Sequence, residues 1–331
     1  MKDPIRVGID VSAAKLDVAI DFCRGQVWTG SFENDAAGHR SLLRVLARKH
    51  RNVRVCLEAT GVYHLDLALA LHASPGIEVM VANPRATKDF ARAQMQRSKT
   101  DRADALSLLE FVRRMPFDPW TPPPRAILEL RALARHLAAL AVMRAQEKNR
   151  RHALEQVSGL GAPVADAIQA HIAYLDDTIA RLLAEAVHVV EASPELSAAF
   201  SHLVSVKGIA AASAVAILAE LAVLPADMSA REWVAHAGLD PRRQESGTSL
   251  MGQVRISKVG NRHLRRALYM PTIVAVQHEP RIRAFYQKLL AKGKKPMQAN
   301  VAVMRKLLHA IHGMLRHDRD FEGEKFFAME A

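Results

Sequence analysis

The segment PFDPWTPPP at 116–124 carries five prolines and marks a change in the spacing of apolar residues. Before it, short runs alternate apolar and polar residues and are separated by helical runs. After it, apolar residues recur at three and four over long stretches. Alternation builds strands, and three-and-four spacing builds helices. The chain therefore reads as a mixed α/β unit followed by a mostly helical part. Proline fixes φ and removes a backbone donor, so 116–124 should end the preceding helix and act as a stiff linker.

In IRVGIDV at 5–11, Ile5, Val7, Ile9 and Val11 share one face and Gly8 and Asp10 the other. KLDVAI at 15–20 alternates in the same way, and GQVWTGSF at 25–32 predicts a third strand. A helix over 35–50, a strand over 53–59, a helix after TGVY, a strand over 77–82 and helices in NPRATKDFARAQM and DRADALSLLEFVRR complete the unit. Three hairpin-like strands followed by alternating helices and strands predict a mixed sheet covered by helices.

Four acids stand out on this frame. Asp10 lies inside a strand, on the face opposite its apolar residues. Glu58 sits where a strand gives way to a Thr-Gly turn. Asp101 and Asp104, three apart, point from one face of a helix. Active groups of open α/β folds collect beyond strand ends. Four carboxylates crowded together repel unless a cation neutralises them or some stay protonated. Mg²⁺ takes oxygen ligands, and two such ions can serve the attacking and leaving oxygens of a phosphodiester. Read plainly, the same residues are surface acids, since a DxxD pair on a helix is common. Asp17, Asp21 and Asp66 are local rivals for Asp10.

Of the 331 residues, 46 are Lys or Arg and 34 Asp or Glu, a formal charge of +12, which suits a polyanionic partner. No run approaches 18 consecutive apolar residues, and a strand begins directly after residue 4. No membrane span and no signal peptide are expected, and a cytoplasmic location is the simple reading. Cys23 and Cys56 are too few for a disulfide framework and lack metal-ligand spacing.

Beyond the prolines, Ile127, Leu130, Leu133, Leu137, Leu140 and Met143 form one stripe, and Ile168, Ile172, Leu175, Ile179 and Leu182 another. A Ser-Gly-Leu-Gly-Ala-Pro break between them predicts an antiparallel helical hairpin or coiled coil, either supporting dimerisation or packing only within its own chain. Arg144, Lys148, Arg150 and Arg151 there are phosphate contacts or a solvated helix face. Lys207–Gly208 opens KGIAAASA, which resembles a helix-hairpin-helix element whose backbone N–H groups can meet phosphate, or is a tight turn between packed helices. RRQESGTSLMGQVRISKVGNRHLRRALYM combines Ser246, Thr248 and Ser249 with Arg242, Arg243, Arg255, Lys258, Arg262, Arg265 and Arg266. Glycines 247, 252 and 260 permit close backbone approach, and arginines hold phosphate in bidentate geometry. A hydroxyl here is a nucleophile or one more phosphate contact. His309, His312 and His317, on the predicted terminal helix, lack a soft-ligand cluster for zinc.

VGIDVSAAKLDVAI, CLEATGVY, KTDRADALSLLEF, SVKGIAAASAVAILAEL, AGLDPRRQESGTSLMG and RISKVGNRHLRRALYM, in this order, resemble transposases of the IS110 family, including its IS1111 branch. The resemblance covers nearly the whole chain. It implies a RuvC-like (RNase H-like) catalytic domain over 1–115, a proline-rich linker over 116–124, a helical hairpin or coiled coil over 125–195, and a transposase domain over 196–331. It also implies an acidic tetrad at Asp10, Glu58, Asp101 and Asp104 that binds Mg²⁺, and a catalytic serine at Ser246. The implied activity is strand cleavage and exchange between donor and target DNA through a transient phosphoserine link. The implied partners are a structured guide RNA and further copies of the chain, as a dimer or tetramer whose active site is composite between subunits. A metal-dependent DNA junction nuclease using water, and a nucleic-acid scaffold that does not cut, are the competing expectations.

Overall fold

The alternating run IRVGIDV forms β1 (Ile5–Val11), the centre of the N-terminal sheet. The structure is a computed structural model that describes residues 3–22, 26–47, 52–59, 61–95, 100–156, 162–242, 245–246, 250–251 and 255–328. β2 (Lys15–Asp21) and β3 (Val27–Glu33) follow as an antiparallel meander. After α1 (Ala36–Ala47), β4 (Val53–Glu58) returns parallel to β1. After α2 (Leu65–His72), β5 (Ile77–Ala82) lies parallel to β4. The strand order is β3-β2-β1-β4-β5. α3 (Pro84–Ala93) and α4 (Asp101–Arg114) complete the unit. Three antiparallel strands followed by two parallel ones, with helices on both faces, make the mixed sheet covered by helices that the sequence predicts.

The two faces of β1 do different work. Ile5, Val7 and Ile9 are fully buried against Leu42 and Leu46 of α1 and Leu67 and Leu71 of α2. On the opposite face, pairing sets Ala19, Gly8, Cys56 and Met80 in a row across four strands. α4 lies on this row. A Cβ on Gly8 would fall 2.2 Å from the Leu109 backbone nitrogen and 2.3 Å from the Ala105 carbonyl oxygen. No side chain fits there, so glycine is what lets α4 cross β1. Part of the proline-rich segment also belongs to this unit. The Trp120 N–H donates to the Val79 carbonyl at 2.7 Å, and the Arg54 guanidinium stacks on the Phe117 ring.

The chain divides into two compact units, Met1–Pro122 and Pro123–Ala331. The second begins with α5 (Arg125–Glu155) and α6 (Ala162–Glu191). Arg144 pairs with Asp176, Glu147 with His171, and Arg151 with Gln169. One number rises as the other falls, so the two helices run antiparallel. Then come α7 (Pro194–Ser205), α8 (Ala211–Leu221) and α9 (Ala230–His236). Four two-residue strands follow: β6 (Pro241–Arg242), β7 (Glu245–Ser246), β8 (Leu250–Met251) and β9 (Arg255–Ile256). α10 (Arg262–His278), α11 (Pro280–Ala291), α12 (Pro296–Arg316) and α13 (Gly323–Phe326) end the unit. α8 is its core helix, with Ala214, Val215, Ile217 and Ala219 fully buried among Leu130 of α5, Leu264 and Leu268 of α10, and Leu307 and Leu308 of α12.

Candidate active site

Asp10 follows Ile9 on β1 and Glu58 follows Leu57 on β4, and Ile9 pairs with Leu57. By strand alternation both acids share the α4 face with Gly8 and Cys56. Thr100 caps α4 by accepting from the Ala103 N–H, so Asp101 and Asp104 fall in its first turn, where the helix dipole favours negative charge. The crossing at Gly8 thus brings two acids from a helix start toward two acids from strand ends. Burial, then the charges of Asp104, Asp101, Glu58 and Asp17, push the Asp10 carboxyl up to about 6. Two of the rivals are compensated instead. Asp17, opposite Asp10 across β1 and β2, accepts from the Lys15 ammonium at 3.0 Å, and Asp21 pairs with Arg113 at 2.6 Å.

The expected cage is an electrostatic neighbourhood rather than a closed ligand set. Among the described residues no three His, Cys, Asp or Glu groups are gathered closely enough to hold an ion. Like charges repel, and closure on a cation requires the side chains to move inward. The donor chemistry nevertheless fits a hard divalent cation, because these are oxygen donors whose mutual repulsion such a cation relieves. Thr87 is a residue that sequence reasoning missed. Buried on α3, its hydroxyl donates to Glu58 Oε2 at 2.7 Å and also lies 3.0 Å from the Pro84 carbonyl oxygen. With one proton to give, it divides itself between the two and holds Glu58 at the edge of the cluster.

Ser246 lies in the second unit, on a nested hairpin. At the base the Asn261 N–H donates to the His236 carbonyl at 2.6 Å, Lys258 to Gly238 at 3.1 Å, and Ser257 to Asp240 at 2.8 Å. Outward, Pro241 pairs with Ile256 and Arg242 with Arg255. At the far end Glu245 pairs with Met251 and Ser246 with Leu250. The arms are pressed together at the base. A Cβ on Gly260 would lie 2.2 Å from the His236 carbonyl oxygen, and Gly260 holds φ +110°. The Ser257 hydroxyl donates across the arms to Asp240 Oδ1 at 2.5 Å. Arg243, Thr248 and Ser249 lie outside the described residues.

The basic candidates divide by what they touch. Arg242, Arg255, Lys258, Arg262 and Arg266 are exposed along the hairpin and the start of α10. Lys207 is exposed and pairs weakly with Glu279 at 3.7 Å. Arg265 is half-buried and donates to the Ala237 carbonyl at 2.7 Å, so part of its donor capacity holds the hairpin base. On the helix pair, Arg144, Arg150 and Arg151 are engaged with Asp176, Glu147 and Glu155.

A family model of IS110-type transposases with a DEDD designation, described as "Transposase", matches residues 7–157. A second, "Transposase IS116/IS110/IS902 family", matches residues 201–287. The chain is 28% identical over 321 residues to "Pilin gene-inverting protein" of Moraxella bovis, covering 96% of this chain and 97% of the relative. The protein of the same name from Moraxella lacunata matches with the same figures. Among solved structures, "T. thermophilus RuvC in complex with Holliday junction substrate" aligns at 15% identity with a TM-score of 0.27. It covers 36% of this chain and 100% of that one, a likeness too slight to carry an argument. Among the described residues no helix is long and apolar enough to cross a membrane. Two matches of one transposase type, in chain order, together with relatives aligned almost end to end, make this chain a homologue of the IS110-family transposases.

Proposed function

We propose that the protein is a DNA transposase or site-specific recombinase that cuts and rejoins strands through a transient phosphoserine–DNA intermediate at Ser246. The observation that carries this reading is the convergence on Asp10 of β1 of charge from Glu58 of β4 and from Asp101 and Asp104 of α4, at one end of a RuvC-like sheet. Ser246 enters through the family resemblance of the ESGTS segment, and the end-to-end relatives named for inverting a gene favour rejoining over hydrolysis.

In the proposed step the Ser246 hydroxyl attacks the scissile phosphorus. A serine O–P bond forms, the bond to the 3′ oxygen breaks, and that oxygen leaves as a 3′-hydroxyl after taking up a proton. The 3′-hydroxyl of the partner strand then attacks the phosphoserine, and the serine hydroxyl is released. One phosphodiester is traded for another, so no nucleotide cofactor is consumed. Asp10, Glu58, Asp101 and Asp104 would hold Mg²⁺, which when bound supplies stabilisation of charge on the phosphoryl oxygens. Thr87 orients Glu58 for that task. Lys207, Arg242, Arg243, Arg255, Lys258, Arg262, Arg265 and Arg266 contribute to backbone binding of donor and target DNA. We assign catalysis to 1–115 and 196–331, joined by 116–124 and the helical hairpin 125–195. The family resemblance supports a dimer or tetramer with a composite site, and a structured RNA that selects sites by base pairing.

The test is covalent capture. Protein, Mg²⁺, RNA transcribed from the sequence flanking the gene and DNA carrying the joined element ends are mixed, denatured and resolved on a gel. Wild type should yield a protein–DNA adduct, and Ser246→Ala should bind the same DNA and yield none. An adduct undiminished in Ser246→Ala refutes the serine assignment. Cleavage without an adduct in either protein points to the water-using nuclease, and binding without cleavage to the scaffold.

A further inference from the structure

The second unit buries a carboxylate that the proposed chemistry does not use. Glu220, on the core helix α8, is 1% exposed. Arg135 Nε reaches its Oε1 at 2.7 Å and Arg135 Nη2 its Oε2 at 3.0 Å. Arg131, one turn earlier on α5, approaches Oε2 at 3.2 Å. The fourth contact comes from the hairpin, where Asn261 Nδ2 donates to Glu220 Oε2 at 2.7 Å.

Asn261 is a junction. Its side-chain oxygen caps α10 by accepting from the His263 and Leu264 N–H groups, and its own N–H closes the hairpin base on the His236 carbonyl. Gly260 before it is locked by its contact with the same carbonyl. The returning arm, from Arg255 to Asn261, therefore ends on a residue fixed through Glu220 to two arginines of the long helix α5. A buried ion pair is weak evidence for stability, because apolar residues fill such a space as well. It does fix one register among the elements that share it, and here those are α5, α8 and the hairpin arm.

We propose that Glu220 is a positioning residue for the Ser246 hairpin: through Asn261 it sets the returning arm against α5 and so fixes where the hairpin presents its serine. The positional claim stands on the hairpin alone. Its consequence for chemistry rests on the reading of Ser246 as nucleophile, and the two fail separately in the test.

The variant is Asn261→Ser, because serine still caps a helix but cannot reach Glu220. Hydrogen exchange on the full chain reads the amides of Ser257, Lys258 and Asn261, which close the hairpin base. They should exchange roughly tenfold faster or more in the variant, as expected for loss of a bond to a charged acceptor, while α8 and α12 keep their protection. In the capture assay the rate at saturating DNA should fall by a similar factor, with DNA affinity and melting temperature held. Asn261→Thr, which also caps a helix and is too short to reach Glu220, should show the same pattern, and it serves as the readout if Asn261→Ser does not fold. Unchanged exchange at the three amides overturns the proposal, as does acceleration spread evenly over α8, α10 and α12. If the hairpin loosens while capture is indifferent to Ser246→Ala, the nucleophile assignment fails and the positional claim stands.

Discussion

Each unit holds one carboxylate whose titration is driven far from its ordinary value, and in opposite directions. Asp10 is pushed up to about 6 by burial and by the charges of Asp104, Asp101, Glu58 and Asp17. Glu220 is more deeply buried, and burial alone would raise it too. Hydrogen bonds from Arg135 and Asn261 and the charges of Arg131 and Arg135 overcome that and hold it at about 2. One carboxylate is given every partner it needs, and the other is surrounded by groups of its own sign. Structure explains the first, since a compensated buried charge fixes register. The second costs the fold stability, and it persists where a cation or substrate would supply what the protein withholds.

The largest effect that tests this contrast is on chemistry. Asp10→Asn keeps the size of the side chain and removes its charge. Strand exchange should drop by at least about a hundredfold, the scale for losing one stabilising group at a charged transition state. The same substitution should stabilise the metal-free protein by about 1 kcal/mol near neutral pH, since water screens part of the repulsion at this half-buried site. A denaturation curve in chelator and a recombination assay on the same preparation check both signs. A variant that loses activity and also loses stability would break the contrast, because Asp10 would then be a structural acid.

Glu220→Leu should move stability the other way. It leaves the partly exposed Arg131 and Arg135 without their counter-charge, and the cost is about 3 kcal/mol, the low end for a broken buried pair, because water reaches both guanidinium groups. Replacing Glu220, Arg131 and Arg135 together by apolar residues of similar volume should restore most of it. The pH dependence separates the two acids as well. Glu220 titrates in the fold below its unfolded value of 4.5, so its contribution is fully present above about 4.5 and is lost as pH falls toward 2. Asp10 titrates above its ordinary 3.8, so the metal-free fold loses stability as pH rises from about 4 to about 6. Asp10→Asn should remove the upper slope and leave the lower one.

How far the sequence exposes these features depends on how local their causes are. The strands and helices of the first unit are legible because alternation and helical spacing are properties of short windows. Gly8 is legible as a close-approach position beside Asp10, and the structure supplies the helix that approaches. The partners of Glu220 lie 41, 85 and 89 residues away, and no window contains them. A signal was nevertheless present: a single acid inside AVAILAELAVL must be either exposed or compensated. The four two-residue strands around Ser246 are too short for any period to register. Arg265 reads as one more phosphate contact, and the bond from one of its nitrogens to the Ala237 carbonyl lies outside any local pattern. The proline-rich segment reads as a linker, and the bond from Trp120 that holds part of it on β5 lies outside any local pattern.

The smallest effect sharpens the comparison at Glu58. The Thr87 hydroxyl is the neutral counterpart, in the acid cluster, of the arginines around Glu220, because it orients a carboxylate without cancelling its charge. Thr87→Val keeps the shape and removes the donor, so the fold should lose only about 1 kcal/mol. If Glu58 must be aimed to act, strand exchange should fall by roughly tenfold, as for other residues that orient a ligating group. Thr87→Ser should recover most of the lost rate because the hydroxyl returns. The Mg²⁺ concentration needed for half-maximal rate should rise in the valine variant and return in the serine variant, a shift that packing alone does not produce. Equal rates in all three proteins would mean that the hydroxyl serves only the Pro84 carbonyl of its own helix, and that Glu58 does not depend on it for its position.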